Sequence, residues 1–430
     1  LGGGTSGYFG DLRPRGASIS VGGESSGPVH FMELFDKTAE VISQGCYDYD
    51  TEILTDHGWK FFKDLSTIGF DKIKVAQVND DETIEFVKIE NYFEYEVSEN
   101  LIWFKDSRNI DLLVTKNHNM VYKQEKRNIV IDNNGNKRYE RNVKDTFYTR
   151  TADQCPLHRD VKYLHAAYLP NVGSRLSNWE RILIATQADG SYVKNSTNAI
   201  KYRFTKKRKA DRLKYLLESL NIEYSYSYYN QDKTHNFYVN FRERLPKTLG
   251  WVNISNKSYD WCVDFISEIL EWDGSKTSDD SGIYCSIIKE NTDKVQEVCA
   301  VSGYKSYTRK SDRENEPTKS TIYTVYISKG NYFGVEKLEK QEVFYTGKVY
   351  CVEVPSHKII VRRFGRTLVC GNSARRGSFA AYLPVEHSDI EEFLQIRSEG
   401  HPIQNMSIGV TITDSWMNSM IEGDKDKRKI

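Results

Sequence analysis

The sequence predicts a mixed fold: an all-β unit is interrupted by an α/β unit with an approximate twofold repeat, and α/β segments lie on both sides. Residues 46–170 contain short stretches rich in Tyr, Val and Ile, separated by turn sequences such as Asp56-His57-Gly58, a pattern typical of β-strands. Residues 178–330 alternate helical and strand patterns, and residues 340–372 return to strand character. This order predicts that one β unit resumes after an inserted α/β unit.

The inserted unit contains an internal repeat. An apolar helical pattern over 179–188 is followed by Asp189-Gly190, and a second one over 257–272 is followed by Asp273-Gly274. After each helix the sequence predicts a strand, another helix and two more strands, in the same order. Two copies of one supersecondary unit predict two halves related by a pseudo-twofold axis.

Composition limits the classes of protein to consider. The 430 residues carry 60 Lys and Arg against 60 Asp and Glu, which excludes a uniformly basic nucleic-acid coat but allows a local basic surface. No apolar run approaches the roughly 18 residues of a membrane helix, so no membrane partner is expected. The seven cysteines are dispersed and form no C-x-x-C pair, which favours reduced thiols in a cytoplasmic protein over a disulfide framework or a zinc site.

The borders of the segment 46–372 carry groups that can cleave and join peptide bonds. Cys46 follows Gly45, and a thiol can attack the preceding carbonyl carbon and convert the amide into a thioester. The side-chain nitrogen of Asn372 can attack its own carbonyl carbon and release the chain that follows. The Ser373 hydroxyl can accept an acyl group and pass it to its own amine. Together these groups could excise the segment and join its flanks.

Four sequence blocks resemble those of inteins, and they occur in the order in which that family has them. The blocks are Cys46–Trp59, Thr115-Lys116-Asn117-His118, Val349–His357 and Leu368–Asn372. The resemblance implies an all-β, horseshoe-like Hint splicing domain made of residues 46–174 and 336–372. It also implies that splicing needs no cofactor.

The resemblance assigns roles to further residues. His118 would hydrogen-bond the Gly45–Cys46 amide and protonate its leaving nitrogen, with Thr115 in support. His357 would assist the cyclisation of Asn372 and polarise the carbonyl group that is cleaved.

Two positions depart from the family pattern. The family usually has His just before the terminal Asn, where this chain has Gly371, so cyclisation would rely on His357 or run slowly. The family often has Asp where Cys351 stands. Cys351 could be a weak acid that tunes Cys46, or an alternative acyl acceptor, as in a subclass that lacks a nucleophilic first residue. Because Cys46 is present, the ordinary route is favoured, and Cys370 is expected to be structural.

The inserted unit, residues 175–335, resembles LAGLIDADG homing endonucleases through Ile182–Gly190 and Ile266–Gly274. The resemblance implies that two closely packed helices place Asp189 and Asp273 together over double-stranded DNA, the intein-less copy of the host gene. There the two acids would bind Mg²⁺, which activates water for hydrolysis. The alternative is a decayed endonuclease in which both acids only end their helices.

A basic cluster in the same unit favours contact with DNA. It consists of Lys201, Arg203, Lys206, Lys207, Arg208 and Lys209, with Tyr202 and Phe204 interleaved. Such charge would bind phosphates, and the strands would read the major groove. A solvated basic helix is the alternative interpretation.

The flanking segments, residues 1–45 and 373–430, resemble parts of the large subunit of ribonucleotide reductase. Joining the two segments would connect Gly45 to Ser373. In that family, this junction resembles the loop that relays a bound effector nucleotide to the substrate. The resemblance implies that Gln44 and Arg375 contact the effector base and that Arg13 and Arg15 lie near the companion loop. The mature reductase would bind nucleotide effectors and pair with its own subunits.

Two other interpretations stay open. One is a degenerate insert that neither splices nor cuts DNA and only interrupts a nucleotide-binding enzyme. The other is a DNA-binding regulator without chemistry. The presence of Cys46, Asn372 and Ser373 favours splicing over both.

Overall fold

The computed structural model describes residues 4–33, 45–131, 137–278, 281–312, 320–372, 378–398, 401, 403 and 406–423. The chain divides into two compact units. One consists of Leu1–Gly45 with Ser373–Ile430, and the other is Cys46–Asn372. The fold is mostly β, with few helices.

The strands of the described residues are numbered in chain order. They are β1 Gly4–Tyr8, β2 Thr51–Thr55, β3 Gly58–Phe61, β4 Lys74–Val78, β5 Ile84–Lys88, β6 Asn91–Asp106, β7 Ile110–Val114, β8 Asn119–Ile131, β9 Lys137–Val143, β10 Tyr148–Thr151, β11 Val161–Leu164, β12 Gly190–Tyr192, β13 Ala199–Phe204, β14 Tyr224–Tyr229, β15 Thr234–Asn240, β16 Gly274–Ser278, β17 Ser281–Ser286, β18 Tyr304–Ser311, β19 Ile322–Lys329, β20 Tyr332–Gly334, β21 Glu339–Glu353, β22 Lys358–Arg363, β23 Arg366–Gly371, β24 Ser378–Pro384 and β25 Met406–Thr411.

The helices of the described residues are α1 over 28–33, α2 Leu65–Ile68, α3 Asn178–Asp189, α4 Lys207–Ser219, α5 Tyr259–Trp272, α6 Lys289–Ala300, α7 Ile390–Leu394 and α8 Asp414–Glu422. The two motif helices, α3 and α5, both begin at a serine. The Ser177 hydroxyl accepts a hydrogen bond from the Glu180 N–H, and the Ser258 hydroxyl accepts one from the Trp261 N–H. These caps satisfy free amides of the first turn and fix where each helix starts.

The smaller unit is a parallel sheet in the order β1-β24-β25. Its core contains Met32 of α1, Leu383 of β24 and Phe393 of α7, all fully buried. A parallel sheet packed with helices has the α/β character that the sequence predicts for the flanks. The apolar pattern of residues 29–43 predicts one amphipathic helix, of which residues 34–43 lie outside the described residues.

In the β unit, the strands nearest to the two ends of the segment 46–372 lie on either side of one strand, β22. Strand β22 pairs antiparallel with β2, which follows Cys46, and with β23, which ends at Gly371. Strands β6 and β21 pair antiparallel along fifteen residues of each, from Asn91–Glu353 to Lys105–Glu339. Residues 126–150 are polar, and the sequence predicts a loop or hairpin there; they contain β9, which pairs antiparallel with the last part of β8.

The inserted unit contains the predicted repeat. Helices α3 and α5 pack against each other, and each is followed by two strands, a helix and two more strands. Each half also begins with a short strand, β12 or β16, that the sequence pattern does not predict. The glycine after each motif acid is required sterically, because a Cβ at Gly274 would lie 2.5 Å from the Leu270 Cα, and one at Gly190 would lie 2.8 Å from the Thr186 carbonyl oxygen.

A buried charge cluster joins the two parts of the segment 46–372. Arg362 of β22 is 3% exposed, and its guanidinium donates two hydrogen bonds of 2.7 Å to Glu52 and one of 2.7 Å to Asp293 of α6. It also lies 4.5 Å above the Trp59 ring. Because Asp293 belongs to the inserted unit, this cluster couples α6 to the β unit.

We expect Arg362→Met to lower the thermal unfolding midpoint of a Cys46→Ala, Asn372→Ala chain. Removing one member of a buried ion pair leaves carboxylates unpaired and costs about 3–5 kcal/mol. The matched control is Lys348→Met, because Lys348, whose side chain is 47% exposed, pairs with Glu94 at the surface, and such pairs contribute only about 0–1 kcal/mol. Equal shifts in the two variants would contradict this prediction.

Candidate active sites

The first candidate site surrounds the Cys46 backbone. The Cys46 N–H donates to the Thr115 hydroxyl at 2.9 Å, and the Thr115 N–H donates to the Cys46 carbonyl at 3.0 Å. Both residues are buried. The nitrogen of the Gly45–Cys46 peptide is therefore held by Thr115, to which the sequence analysis gave only a supporting role.

Tyr47 connects the two borders of the segment. Its phenol hydroxyl donates to the Gly371 carbonyl, and its ring is fully buried against Phe62 and, edge-on at 4.4 Å between centroids, against His118. Burial raises the pKa of Tyr47 well above its ordinary value, so the phenol remains a donor. The residue after Cys46 thus contacts the residue before Asn372. Sequence reasoning missed Tyr47.

Asn372 is fully buried at the other border. Its N–H donates to the His357 carbonyl at 3.2 Å, and its own carbonyl accepts a hydrogen bond of 3.4 Å from the Asn119 carboxamide. Within the part of the chain that the structure describes, the Asn372 side-chain amide has no hydrogen-bond partner. The His357 side chain is exposed, so the contact of His357 with Asn372 is through its backbone. Asn119 was also missed by the sequence analysis.

His118 and Cys370 meet between the two borders. The His118 Nε2 lies 3.2 Å from the Cys370 sulfur, and both side chains are fully buried. Burial raises the pKa of the Cys370 thiol to about 12. Cys370, which the sequence analysis treated as structural, is therefore a neutral thiol in contact with the predicted proton donor.

Cys351 lies close enough to Cys46 to influence its ionisation. Burial raises the pKa of the Cys46 thiol well above its ordinary value, and negative charge at Cys351 and Glu99 would raise it further. The Cys351 thiol is fully buried and donates a weak hydrogen bond of 3.5 Å to the Val352 carbonyl. Cys46 is therefore a neutral thiol at pH 7.

We expect the rate of thioester formation at Gly45–Cys46 to rise with pH through 9 without a plateau. The thiolate is the attacking form. Because the Cys46 pKa is raised, thiolate is scarce at neutral pH and increases as the pH approaches the raised pKa. Trapping with hydroxylamine in an Asn372→Ala chain measures the rate, since hydroxylamine is already unprotonated above about pH 7. A plateau below pH 8 would contradict the prediction.

Some predicted residues lie outside the described residues. They are Gln44, Ser373 and Arg375. Of the two arginines expected near an effector loop, Arg15 pairs with Glu392 at 2.8 Å, and the Arg13 guanidinium donates to the Ser18 carbonyl at 3.2 Å. Both contacts are exposed and lie within the smaller unit.

The second candidate site lies where α3 and α5 end. Asp189 ends α3, and its carboxylate pairs with Lys209 at 2.6 Å. Asp273 directly follows α5, and burial and the negative charge of Asp189 both raise its pKa. The repeat thus places Asp189 at the end of one motif helix and Asp273 at the end of the other, near enough for the charge of Asp189 to act on Asp273.

Lys247 joins this site, although no motif marked it. Its ammonium group donates to the carbonyls of Thr186, Gln187 and Gly190, at the C-terminal end of α3. Burial lowers the Lys247 pKa, while Asp273 and Asp189 oppose that shift. A cation suits this position because helix carbonyls and two carboxylates concentrate negative charge there.

The acid pair fits a divalent cation. Carboxylate oxygens are the ligands that Mg²⁺ prefers, and Mg²⁺ usually takes one or two of them together with waters and phosphate oxygens. A bound cation would relieve the repulsion that raises the Asp273 pKa. Among the described residues, no group of three or more His, Cys, Asp or Glu is placed to hold a metal ion.

The basic cluster is split by the geometry of β13. Lys201 and Arg203 are exposed on one face of the strand, whereas Tyr202 and Phe204 are buried on the other. The aromatic side chains therefore pack in the core and cannot stack on bases from that position. Register places Lys201 beside Tyr238 and Arg203 beside Asn236, which gives the exposed face a mixture of charge and hydrogen-bonding groups.

The rest of the cluster lies at the start of α4. Lys206 and Lys207 are exposed, Arg208 pairs with Glu271 at 2.8 Å, and Lys209 pairs with Asp189. Arg203 of β13 also pairs with Asp232, so acids already engage three of the six basic groups of the cluster.

No helix of the described residues has the length and apolar character of a membrane span.

Comparison with known proteins identifies relatives of the two ends of the chain. A family model for the barrel domain of ribonucleotide reductase matches residues 1–48 and 363–427. The ribonucleoside-diphosphate reductase subunit beta of Aquifex aeolicus (strain VF5) is 28% identical over 219 residues, 47% of this chain and 31% of that protein. The chain thus spans less than a third of that relative. Since the two flanks hold only 103 residues, part of this match lies within 46–372.

Solved structures give weaker likenesses. A splice-inactive variant of the AceL NrdHF class 3 split intein has a TM-score of 0.31 and 8% identity, covering 76% of this chain and 99% of that one. The homing endonuclease I-DmoI in complex with DNA and Ca has a TM-score of 0.25 and 14% identity, covering 34% and 81%. Scores this low do not establish a shared fold.

The family match stops two residues after Cys46 and resumes nine residues before Asn372. Both ends of this chain are therefore similar to the barrel domain of ribonucleotide reductases, and the residues between them are not covered by that match.

Proposed function

We propose that residues 46–372 form an intein that excises itself and joins Gly45 to Ser373. The observation that carries this proposal is the Tyr47–Gly371 hydrogen bond, which brings the two borders into one buried centre. A segment whose ends lie apart could not ligate its flanks. The borders of the compact unit, Cys46 and Asn372, support the same limits.

The first step is an N–S acyl shift. The Cys46 sulfur attacks the Gly45 carbonyl carbon, the carbon–sulfur bond forms, and the carbon–nitrogen bond to Cys46 breaks. The thiol proton is lost and the amine nitrogen gains one. Thr115 orients that nitrogen through its 2.9 Å hydrogen bond, and His118, beside Tyr47, is the proposed proton donor.

The remaining steps transfer the acyl group and release the segment. The Ser373 hydroxyl attacks the thioester carbon, an ester forms, and the Cys46 thiol is restored. The Asn372 side-chain nitrogen then attacks its own carbonyl carbon, a succinimide forms, and the bond to the Ser373 nitrogen breaks. The freed amine takes the acyl group from its own oxygen, which leaves a Gly45–Ser373 peptide. Cys351 is proposed to tune Cys46.

Intact mass of the expressed chain tests this proposal. Splicing predicts that the 49.8 kDa chain is replaced by an excised piece of about 38 kDa and a joined piece of about 12 kDa, by residue share. Sequencing of the smaller piece should cross from Gly45 to Ser373. Recovery of the full-length chain alone, in reducing buffer, would support a degenerate insert instead.

We infer that the inserted unit is a DNA endonuclease of the homing type. The placement of Asp189 and Asp273 at the ends of the packed helices α3 and α5, where the charge of Asp189 acts on Asp273, supports it. When bound, Mg²⁺ would supply an activated water and stabilise the leaving oxygen. The exposed β13 face, with Lys201 and Arg203, would contact phosphates of double-stranded DNA. The intein-less reductase gene is the proposed target.

The flanks are proposed to belong to the large subunit of a ribonucleotide reductase. The family match at both ends supports this assignment. Joining Gly45 to Ser373 would restore a loop that contains Gln44 and Arg375, the proposed contacts of an effector nucleotide. The reductase would then act with its own subunits in the cytoplasm.

A further inference from the structure

Asn119 lies at the carbonyl group that is cleaved at the C-terminal border. Its carboxamide nitrogen donates to the Asn372 carbonyl oxygen at 3.4 Å. When the Asn372 side-chain nitrogen attacks that carbonyl carbon, negative charge develops on the same oxygen. A donor that is already aimed at this oxygen lowers the barrier, because it does not have to reorient during the reaction.

The surroundings of Asn119 explain why residue 371 is glycine. A Cβ at position 371 would lie 2.3 Å from the Asn119 carbonyl oxygen and 2.8 Å from the Asn119 Cβ. The first of these contacts is with backbone, which cannot swing aside as a long side chain can. The close approach that sets Asn119 beside Asn372 therefore excludes a side chain at position 371, including the histidine that inteins usually have there.

Neighbouring contacts hold this arrangement. The Tyr47 hydroxyl donates to the Gly371 carbonyl, and the Asn372 N–H donates to the His357 carbonyl at 3.2 Å. The backbone on both sides of the Gly371–Asn372 peptide is thus fixed. The Asn372 side chain is fully buried and has no hydrogen-bond partner among the described residues. No hydrogen bond therefore holds its nitrogen away from the carbonyl carbon that it would attack.

We propose that Asn119 is the oxyanion donor for Asn372 cyclisation and replaces the missing penultimate histidine. This inference rests on the proposed splicing function and extends it to a residue outside the four sequence blocks. In the step itself, the Asn372 nitrogen–carbon bond forms and the carbon–nitrogen bond to Ser373 breaks. A proton passes from the attacking nitrogen to the leaving nitrogen. Asn119 exchanges no proton and stabilises charge only.

Substitutions at Asn119 distinguish a role as hydrogen-bond donor from a role in packing. In a Cys46→Ala chain, where only C-side cleavage occurs, we expect Asn119→Ala to slow release of residues 373–430 by about 10- to 100-fold. Asn119→Asp keeps the shape of asparagine but places a carboxylate beside the developing charge, so it should be at least as slow as the alanine variant. A packing role predicts the reverse order, with aspartate close to the parent.

Two controls make the test specific. Asn100→Asp introduces the same change at an exposed position and should leave the C-side rate unchanged. In an Asn372→Ala chain, hydroxylamine cleavage at Gly45–Cys46 should change less than twofold with Asn119→Asp, whereas general disruption of the centre would slow it too. Gly371→His should slow release of the C-terminal flank and not accelerate it.

The outcomes distinguish this inference from the function on which it rests. If the unsubstituted chain cleaves at neither border, the splicing proposal fails and the role of Asn119 fails with it. If the unsubstituted chain splices and Asn119→Asp releases the C-terminal flank at the parental rate, the role of Asn119 alone is overturned. Faster release in Gly371→His would also overturn it, since a histidine would then fit beside Asn119.

Discussion

Cys46→Ala should abolish cleavage at Gly45–Cys46 and with it the joined product. The alanine methyl group cannot form a thioester, and loss of a reaction's nucleophile costs on the order of 10³-fold or more in rate. The chain should then appear as the full-length species, together with any product of C-side cleavage alone. Intact mass after expression and after incubation in reducing buffer measures both.

The matched variants are Cys351→Ala and Cys262→Ala. Cys262 is buried in the core of the inserted unit, so its loss tests for a general effect of removing a buried thiol. Cys351→Ala should slow splicing without abolishing it if Cys351 tunes Cys46. The opposite result, with Cys46→Ala still cleaving and Cys351→Ala inactive, would make Cys351 the first nucleophile and would refute the ordinary route.

Much of the fold follows from local sequence signals. The two motif helices were predicted from their apolar pattern and the closing Asp-Gly pair, and the structure adds a serine cap at the start of each. Their repetition fixed the order of the strands and helices that follow. The missed strands β12 and β16 have only three and five residues, too short to show a period-two pattern. Their pairing with β13 and β17 is a tertiary effect.

The candidate site was predictable where its residues lie at a border of the segment 46–372 or in a short block that resembles a known family. Cys46 and Asn372 stand out because they end the segment, and Thr115 and His118 lie in one short block. Tyr47, Asn119 and Lys247 carry no such signal, since tyrosine, asparagine and lysine are ordinary residues at turns and surfaces. Their contacts arise because the fold brings together segments that are distant in the sequence. For example, β8 begins beside the end of β23.

The alternation of side chains along β13 corrects the interpretation of the basic cluster as an aromatic and basic surface. Tyr202 and Phe204 are interleaved with basic residues in the sequence, which suggested an aromatic and basic surface. Successive side chains of a strand point to opposite faces, so β13 separates the two sets and only Lys201 and Arg203 reach the exposed face. A period-two pattern of charge and aromatic residues therefore predicts an amphipathic strand, and not a stacking surface.

Asp189→Asn should eliminate Mg²⁺-dependent cleavage of double-stranded DNA from an intein-less reductase gene, by on the order of 100-fold or more. Asparagine keeps the shape of aspartate but loses the negative charge that would bind the cation and that helps to raise the pKa of Asp273. The effect should be specific to the nuclease, because Asp189 ends α3 and takes no part in the centre around Cys46. Splicing measured by intact mass should therefore be unchanged.

The control is Asp211→Asn, which removes an exposed acid from the neighbouring helix α4. It should retain cleavage, and its reduced negative charge near the basic cluster should leave DNA binding equal or slightly tighter. Asp189→Asn should still bind DNA in Ca²⁺, since binding depends on Lys201 and Arg203 and cleavage depends on the acid pair. If Asp189→Asn lost DNA binding as well as cleavage, Asp189 would support the fold of the inserted unit. If the variant cleaved DNA at the parental rate, Asp189 would not belong to the proposed metal site.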